Sequence, residues 1–282
     1  MGSTFLVAAA LAAMAQGPVA GPVAGPVERP VEGHGPGACE EGRVHGPEEY
    51  QQAVPTCPEG TETCLGIALF VLADGQGTVV EPAWVAGQIE RANVVLEPLG
   101  VTFELAQVEV LQTQNACLHS RQDRDDLGAT RWKKEIVNVF VVRKADDVDK
   151  EGEIWGVHWR WRKNTSRRWI ILVSEAWPLT LGHELGHFFG LPHCKLQGSV
   201  MNKTGKDLVA MEERRFKESE VATMKKRLLA KLKSRELVKR TPSPATPAPA
   251  APPAAASPPA APPPAAPPPA APPTAAPDGP QN

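Results

Sequence analysis

The chain has 282 residues and a formal net charge of −2, which excludes a protein that holds nucleic acid through an overall positive charge. Its last stretch, residues 241–282, is almost entirely Pro and Ala with a few Ser and Thr. It has no large apolar side chain to bury, so it is expected to be a disordered, polyproline-like tail. The five cysteines, Cys39, Cys57, Cys64, Cys117 and Cys194, do not have the spacing of a four-thiolate zinc site.

The chain opens with MGSTFLVAAALAAMAQ. The apolar run from Phe5 to Ala15 is too short to anchor in a bilayer, and it ends in the A-x-A pattern Ala13-Met14-Ala15. Although Lys and Arg are missing from its start, this reads as a signal peptide over residues 1–15. It places the protein in the secreted or periplasmic/cell-envelope class, where disulfides are ordinary. Residues 16–60, with the short repeat GPVAGPVAGPV, read as a Gly/Pro-rich leader or propeptide. Residues 61–240 remain, enough for one domain with a core.

Within that domain, Ile67–Ala73 (IALFVLA) ends at Asp74-Gly75, which predicts a strand and a turn. Pro82 opens a helix whose apolar residues Val85, Ile89, Ala92, Val95, Leu96 and Leu99 recur at helical spacing until Gly100 stops it. Val101–Leu111 alternates as a half-buried strand does. Residues 112–134 read as a polar loop, and Ile136–Val142 (IVNVFVV) as a central strand.

Residues 154–162 (IWGVHWRWR) alternate again, with Trp155, Val157, Trp159 and Trp161 on one face and Gly156, His158, Arg160 and Arg162 on the other. This predicts an edge strand, with His158 at the surface. The separation of tryptophans from arginines argues against a nucleic-acid stacking surface, for which both would share a face. Arg168–Ser174 is a further buried strand. Helices follow from about Thr180 and from about Phe216 to Leu237, the last with Val221, Met224, Leu228, Leu229 and Leu232 on one face. The order predicts an α/β fold with a mostly parallel sheet.

The chemistry concentrates in residues 183–193, HELGHFFGLPH. His183 and His187, four apart on a helix, can aim ring nitrogens at one point. Gly190 can take a left-handed conformation that ends the helix, so that His193 returns as a third ligand. Three imidazoles with one open position suit a catalytic Zn²⁺. Glu184, off the shared face of the two helix histidines, is placed to act as general base on a water activated by the metal.

HELGHFFGLPH resembles the H-E-x-x-H-x-x-G-x-x-H motif of the metzincin zinc peptidases. By this resemblance Met201, in Ser199-Val200-Met201-Asn202, is the Met-turn methionine beneath the metal. The implied fold is a metzincin-like catalytic domain: a five-stranded mixed twisted sheet with one antiparallel edge strand, an active-site helix, the Met-turn and a C-terminal helix. IWGVHWRWR would then be the edge strand along which substrate adds as another strand. The single tyrosine, Tyr50, lies far upstream, so no tyrosine follows Met201 as a further ligand, which is closer to matrixin-like or pappalysin-like members than to astacin-like ones.

Matrixin-like zymogens block the metal with a propeptide cysteine. Cys57 lacks the flanking Arg and Gly of that pattern, and a small-loop disulfide with Cys64 is the stronger expectation. Cys194 is expected to pair with Cys117, leaving Cys39 free. The resulting expectation is a monomeric, secreted zinc endopeptidase acting on protein or peptide, without nucleic-acid partners and without a membrane segment after cleavage of the leader. Two alternatives stand beside it: a non-catalytic binding module of the same fold, and an amidase of cell-wall peptides.

Overall fold

The structure is a computed structural model that describes residues 42–204 and 207–241; the expected signal peptide, the leader up to residue 41 with Cys39, and the tail beyond residue 241 lie outside them. In chain order the elements are α1 (Pro47–Ala53), β1 (Cys64–Asp74), β2 (Gly77–Thr78), α2 (Pro82–Leu96), β3 (Thr102–Gln112), β4 (Cys117–Leu118), α3 (Arg121–Ala129), β5 (Val137–Val142), β6 (Lys144–Ala145), β7 (Gly156–Arg160), β8 (Arg168–Val173), α4 (Thr180–Phe188), α5 (Glu218–Lys233) and β9 (Lys239–Arg240). The long strands run in the order β3-β1-β5-β8-β7, with β7 antiparallel to β8 at the edge and the other pairings parallel. Short β2 and β9 pair antiparallel with β1, and β4 pairs with β6 in a separate ladder.

Parallel strands covered on both faces must be largely apolar on both, which is why β1, β5 and β8 read as nearly continuous hydrophobic runs, interrupted in β5 by Asn138. Their alternate side chains divide between two layers of helix. Ile67, Leu69, Val139, Val141 and Leu172 meet Val85, Gln88 and Ile89 of α2 and Leu181 of α4. On the opposite face Phe70 stacks on Phe140 at 4.5 Å between ring centroids, and Phe140 meets the edge of Trp169. There α3 lies so close over the sheet that a Cβ on Gly128 would come within 2.5 Å of the Trp169 indole.

Three sequence expectations change. The stretch expected to be polar loop contains α3, whose buried residues are Arg124, Asp125 and Gly128. With no apolar stripe it carries no helical periodicity, but its start is legible. Ser120 caps the Asp123 amide while the Asp123 carboxylate returns to the Ser120 amide at 2.8 Å. Part of the stretch expected to be leader packs on the domain. Helix α1 places Tyr50 fully inside, with its hydroxyl donating to the Val80 carbonyl at 2.6 Å. In α5, Met224 and Leu228 are buried, whereas Leu229, expected on the same face, is 66% exposed. It sits one residue beyond the stripe that Met224 and Leu228 define.

Cys57 and Cys64 are joined in a disulfide, and this ties the segment after α1 to the start of β1. Cys117 and Cys194 are both free thiols, contrary to the expected pairing. Cys117 lies on β4, in the ladder with β6, whereas the Cys194 sulfur faces Glu220 of α5 at 3.4 Å. Each is held by the backbone of a different part of the fold. Among the described residues no helix is long and apolar enough to cross a membrane.

The ends of β1 and β5 are clamped by Arg143, which donates two hydrogen bonds to Asp74 at 2.6 and 2.9 Å. These bonds, more than any other influence, hold the Asp74 carboxyl below the usual carboxylate range. A depressed carboxyl stabilises the fold above its unfolded pKa and loses that contribution as the pH falls through its folded value. Asp74→Asn should therefore cost about 1–3 kcal/mol at neutral pH. In urea titrations the gap from wild type should close as the pH is lowered below about 4. Gly128→Ala should cost about 1–3 kcal/mol by forcing the indole aside. Gly87→Ala in α2, where a Cβ would meet nothing within 4 Å, should be neutral or stabilising in the same urea titrations.

Candidate metal centre

Helix α4 carries two of the three histidines and must be held at a fixed depth. Gln88 of α2 does part of this. Its buried amide donates to the carbonyls of Ala176 and Trp177, at 3.3 and 2.8 Å, and accepts from the Leu181 amide at 3.1 Å. That amide is one of the donors left open in a first helical turn. A Cβ on Gly182 would press on Val95 at 2.8 Å, so the missing side chain allows α4 to seat against α2.

At the other end Gly190 has φ +91°, the left-handed region that breaks the helix and reverses the chain. The reversal brings the His193 Nε2 to 3.2 Å from that of His183 and 3.1 Å from that of His187. The second nitrogen of each helix histidine is already engaged: Nδ1 of His183 lies 2.8 Å from the Val200 carbonyl and Nδ1 of His187 lies 2.7 Å from the Leu191 carbonyl. A carbonyl can only accept, so each Nδ1 holds the proton and each Nε2 presents a lone pair to the shared point.

Burial, the largest influence, lowers His183 and His193 to about 4, and it lowers His187 as well. At neutral pH the three rings are uncharged. Lone pairs converging without enough protons to separate them suit a cation, and together the three residues can hold a metal ion. Tetrahedral ligation at about 2.0–2.1 Å would place neighbouring nitrogens roughly 3.3–3.4 Å apart, close to the spacings found.

Glu184 points off the histidine face and is 5% exposed. Burial raises its carboxyl to about 8, and the backbone N–H of His158 acts in the opposite direction. Its Oε2 is buried with no hydrogen-bond partner among the described residues. The space it occupies exists because β7 begins with glycine: a Cβ on Gly156 would press on Thr180 at 2.7 Å and on Glu184 at 3.2 Å.

Met201 is fully buried under α4, against Gly186, where a Cβ would stand 2.5 Å from its sulfur. The turn at 199–202 is fastened to α5 by Ser199, whose hydroxyl donates to Glu220 at 2.8 Å and receives the Met201 amide at 3.0 Å.

Several of these residues were not singled out in the sequence. The Leu191 and Val200 carbonyls act through the backbone, which side-chain identity does not encode. In the sequence Gly156 is only one position in an alternating strand. His158 is a correction. Its Nε2 is buried without a hydrogen-bond partner among the described residues and its ring meets the edge of Phe188 at 5.8 Å, because α4 packs on the face of β7 expected to be open to solvent. Burial, ahead of Arg168 and Arg160, lowers it to about 3, so it is a neutral ring. The remaining group with metal-ligand chemistry among the described residues, Cys57, Cys64 and Glu104, offers no thiolate, since its sulfurs are bonded to each other.

No family model and no curated protein matches the chain. Among solved structures it is similar to metalloproteinase-II from Bacteroides fragilis, at 12% identity and a TM-score of 0.44 over 61% of this chain and 56% of that one. It is also similar to archaemetzincin from Methanopyrus kandleri, at 18% identity and a TM-score of 0.41 over 61% of this chain and 98% of that one. A zinc-dependent peptidase from Methanocorpusculum labreanum follows at 14% identity and a TM-score of 0.36, over 56% of this chain and 100% of that one. The chain thus spans little more than half the length of the first of these. At TM-scores this low the likenesses assign no residue, and the site stands on its own geometry.

Wild-type protein stripped with chelator and re-equilibrated with zinc should retain about one ion per chain by elemental analysis. Removing one of three ligands in His193→Ala should weaken retention at least about 100-fold, roughly 2.7 kcal/mol, in competition with a chromogenic chelator.

Proposed function

We propose that the protein is a zinc-dependent peptidase, with His183, His187 and His193 holding the metal and Glu184 as the general base. The observation that carries this is the pairing of two unsatisfied features on one helix: three Nε2 atoms converging on a common point, and, on the residue after His183, a buried carboxylate oxygen without a hydrogen-bond partner among the described residues. Zinc bound there would polarise a substrate carbonyl and make a water more acidic.

The chain's own groups do the rest. A cation at the histidines favours the ionised form of Glu184, bringing its carboxyl down from about 8 towards the range where it accepts a proton at neutral pH. Oε2 takes a proton from the attacking water as the water oxygen bonds to the carbonyl carbon. The same oxygen returns the proton to the amine nitrogen as the C–N bond breaks. The His158 N–H keeps the carboxylate oriented. The free edge of β7 begins at Gly156, beside Glu184, and offers an extended peptide a strand to pair with. Read with the apolar leader at the start of the sequence, this is an exported peptidase that cuts within chains.

With zinc restored, the full chain should cleave unfolded casein. Glu184→Gln should keep its metal and lose about 10²–10⁴-fold in kcat/KM. A zinc-loaded chain that cleaves no peptide, or a Glu184→Gln variant as active as wild type, would overturn the peptidase reading in favour of a binding module.

A further inference from the structure

At the C-terminal end of α4, with none of the three metal-site histidines in its wall, is a cavity of about 510 Å³ whose walls bear four cations, Arg160, Arg168, Arg227 and Lys231, and one carboxylate, Glu236. They come from three elements, β7, β8 and α5, and meet at the C-terminal turn of α4, represented in the wall by Phe188 and Gly190. The single carboxylate is shared: Lys231 bonds it at 2.6 Å, and Arg168 approaches it at 3.4 Å. Neither Arg160 nor Arg227 has an ion-pair or hydrogen-bond partner among the described residues. The Arg168 Nε that approaches Glu236 is buried and makes no hydrogen bond among the described residues, so this contact is an ion pair without hydrogen-bond geometry. The Lys231 side chain is 8% exposed and lies over the Phe188 ring at 4.3 Å. Its ammonium is held below the usual range by burial first, with Glu236 opposing and Arg168 and Arg160 adding to the effect.

Like charges gathered in a concave, partly buried place without counter-charge repel one another, and desolvation makes that costlier. Part of the charge answers the partial negative charge at the end of α4, but a helix terminus amounts to roughly half an elementary charge. One carboxylate and half a charge leave most of four cations unbalanced. Guanidinium groups converging from different elements match the planar faces of oxyanions, and they are less hydrated than ammonium groups.

We propose that this cavity is a binding site for a small, multiply charged oxyanion, held by Arg160, Arg168 and Arg227 against the C-terminal turn of the metal-ligand helix. It is larger than a single phosphate needs, so a diphosphate or a compact polycarboxylate fills it better than a monovalent ion. The site is separate from the histidine cluster and requires no metal.

The test is calorimetric titration of chelator-treated full chain with inorganic phosphate, pyrophosphate and tricarballylate at constant ionic strength. Pyrophosphate or tricarballylate should bind with a Kd of about 100 µM or tighter, and inorganic phosphate more weakly. Whichever of the two binds more tightly identifies a phosphate or a carboxylate source. Arg160→Gln/Arg227→Gln, two exposed positions whose replacement should not unfold the chain, should weaken binding at least about tenfold. His193→Ala should bind as wild type does, which separates this site from the metal ligands. The proposal is overturned if neither polyanion binds more tightly than about 10 mM, if the double variant binds as well as wild type, or if His193→Ala abolishes binding.

Discussion

The structure turns on a proton count. His193 meets the two helix imidazoles nitrogen to nitrogen at 3.2 and 3.1 Å, and those two have already committed their Nδ1 protons to backbone carbonyls. The carbonyls come from Leu191, just past the helix, and Val200, in the turn beneath it. The lone pairs are therefore oriented by the path of the main chain rather than by other side chains. Anything that moves that path by about an ångström would redirect a ring and separate ligands that must act together. Much of the surrounding architecture keeps it in place.

That explains why close approaches cluster around α4. Gly182 lets the helix reach α2, Gly186 lets Met201 rise beneath it, and Gly156 leaves room for Glu184 under the edge strand. Gln88 secures the first turn and Gly190 ends the last. Helix propensity alone disfavours a nine-residue helix with two interior glycines. It persists because α2, β7 and the turn at 199–202 pack around it, and the glycines that weaken it locally are what permit that packing. The same packing costs Glu184 its hydration, which raises its carboxyl, and it does the same to His158 in the opposite sense because a ring is charged when protonated.

The edge strand shows how far pattern reading extends. Alternation in IWGVHWRWR separates two faces only within β7: Trp159 points to α3, where Asp125 accepts its indole proton at 2.7 Å, while Gly156 and His158 point to α4; past the strand's end Arg162, expected beside His158, donates to the same Asp125 at 2.9 Å. Which face meets solvent is a different matter, and polarity misleads there. The polar face is covered by α4 near the metal centre and lines a cationic cavity farther along. Helix α3 illustrates the same difficulty. It buries an arginine, an aspartate and a glycine, so nothing in its periodicity marks it, and only Ser120 with Asp123 signals its start.

What the sequence determined by itself was whatever depends on near neighbours in the chain: the apolar strands, the four-residue spacing of His183 and His187, the break at Gly190 that returns His193, and the Cys57–Cys64 loop. These follow from dihedral preference and short-range geometry, which a few consecutive residues specify. Tertiary structure alone decided the carbonyl partners of the rings, the burial of His158 and Glu184, the separate surroundings of Cys117 and Cys194, and the gathering of arginines from three elements around one cavity. Each of these depends on which surfaces meet across the sheet. That is set by the sum of many weak packing contacts between distant segments, so no single stretch of sequence records it.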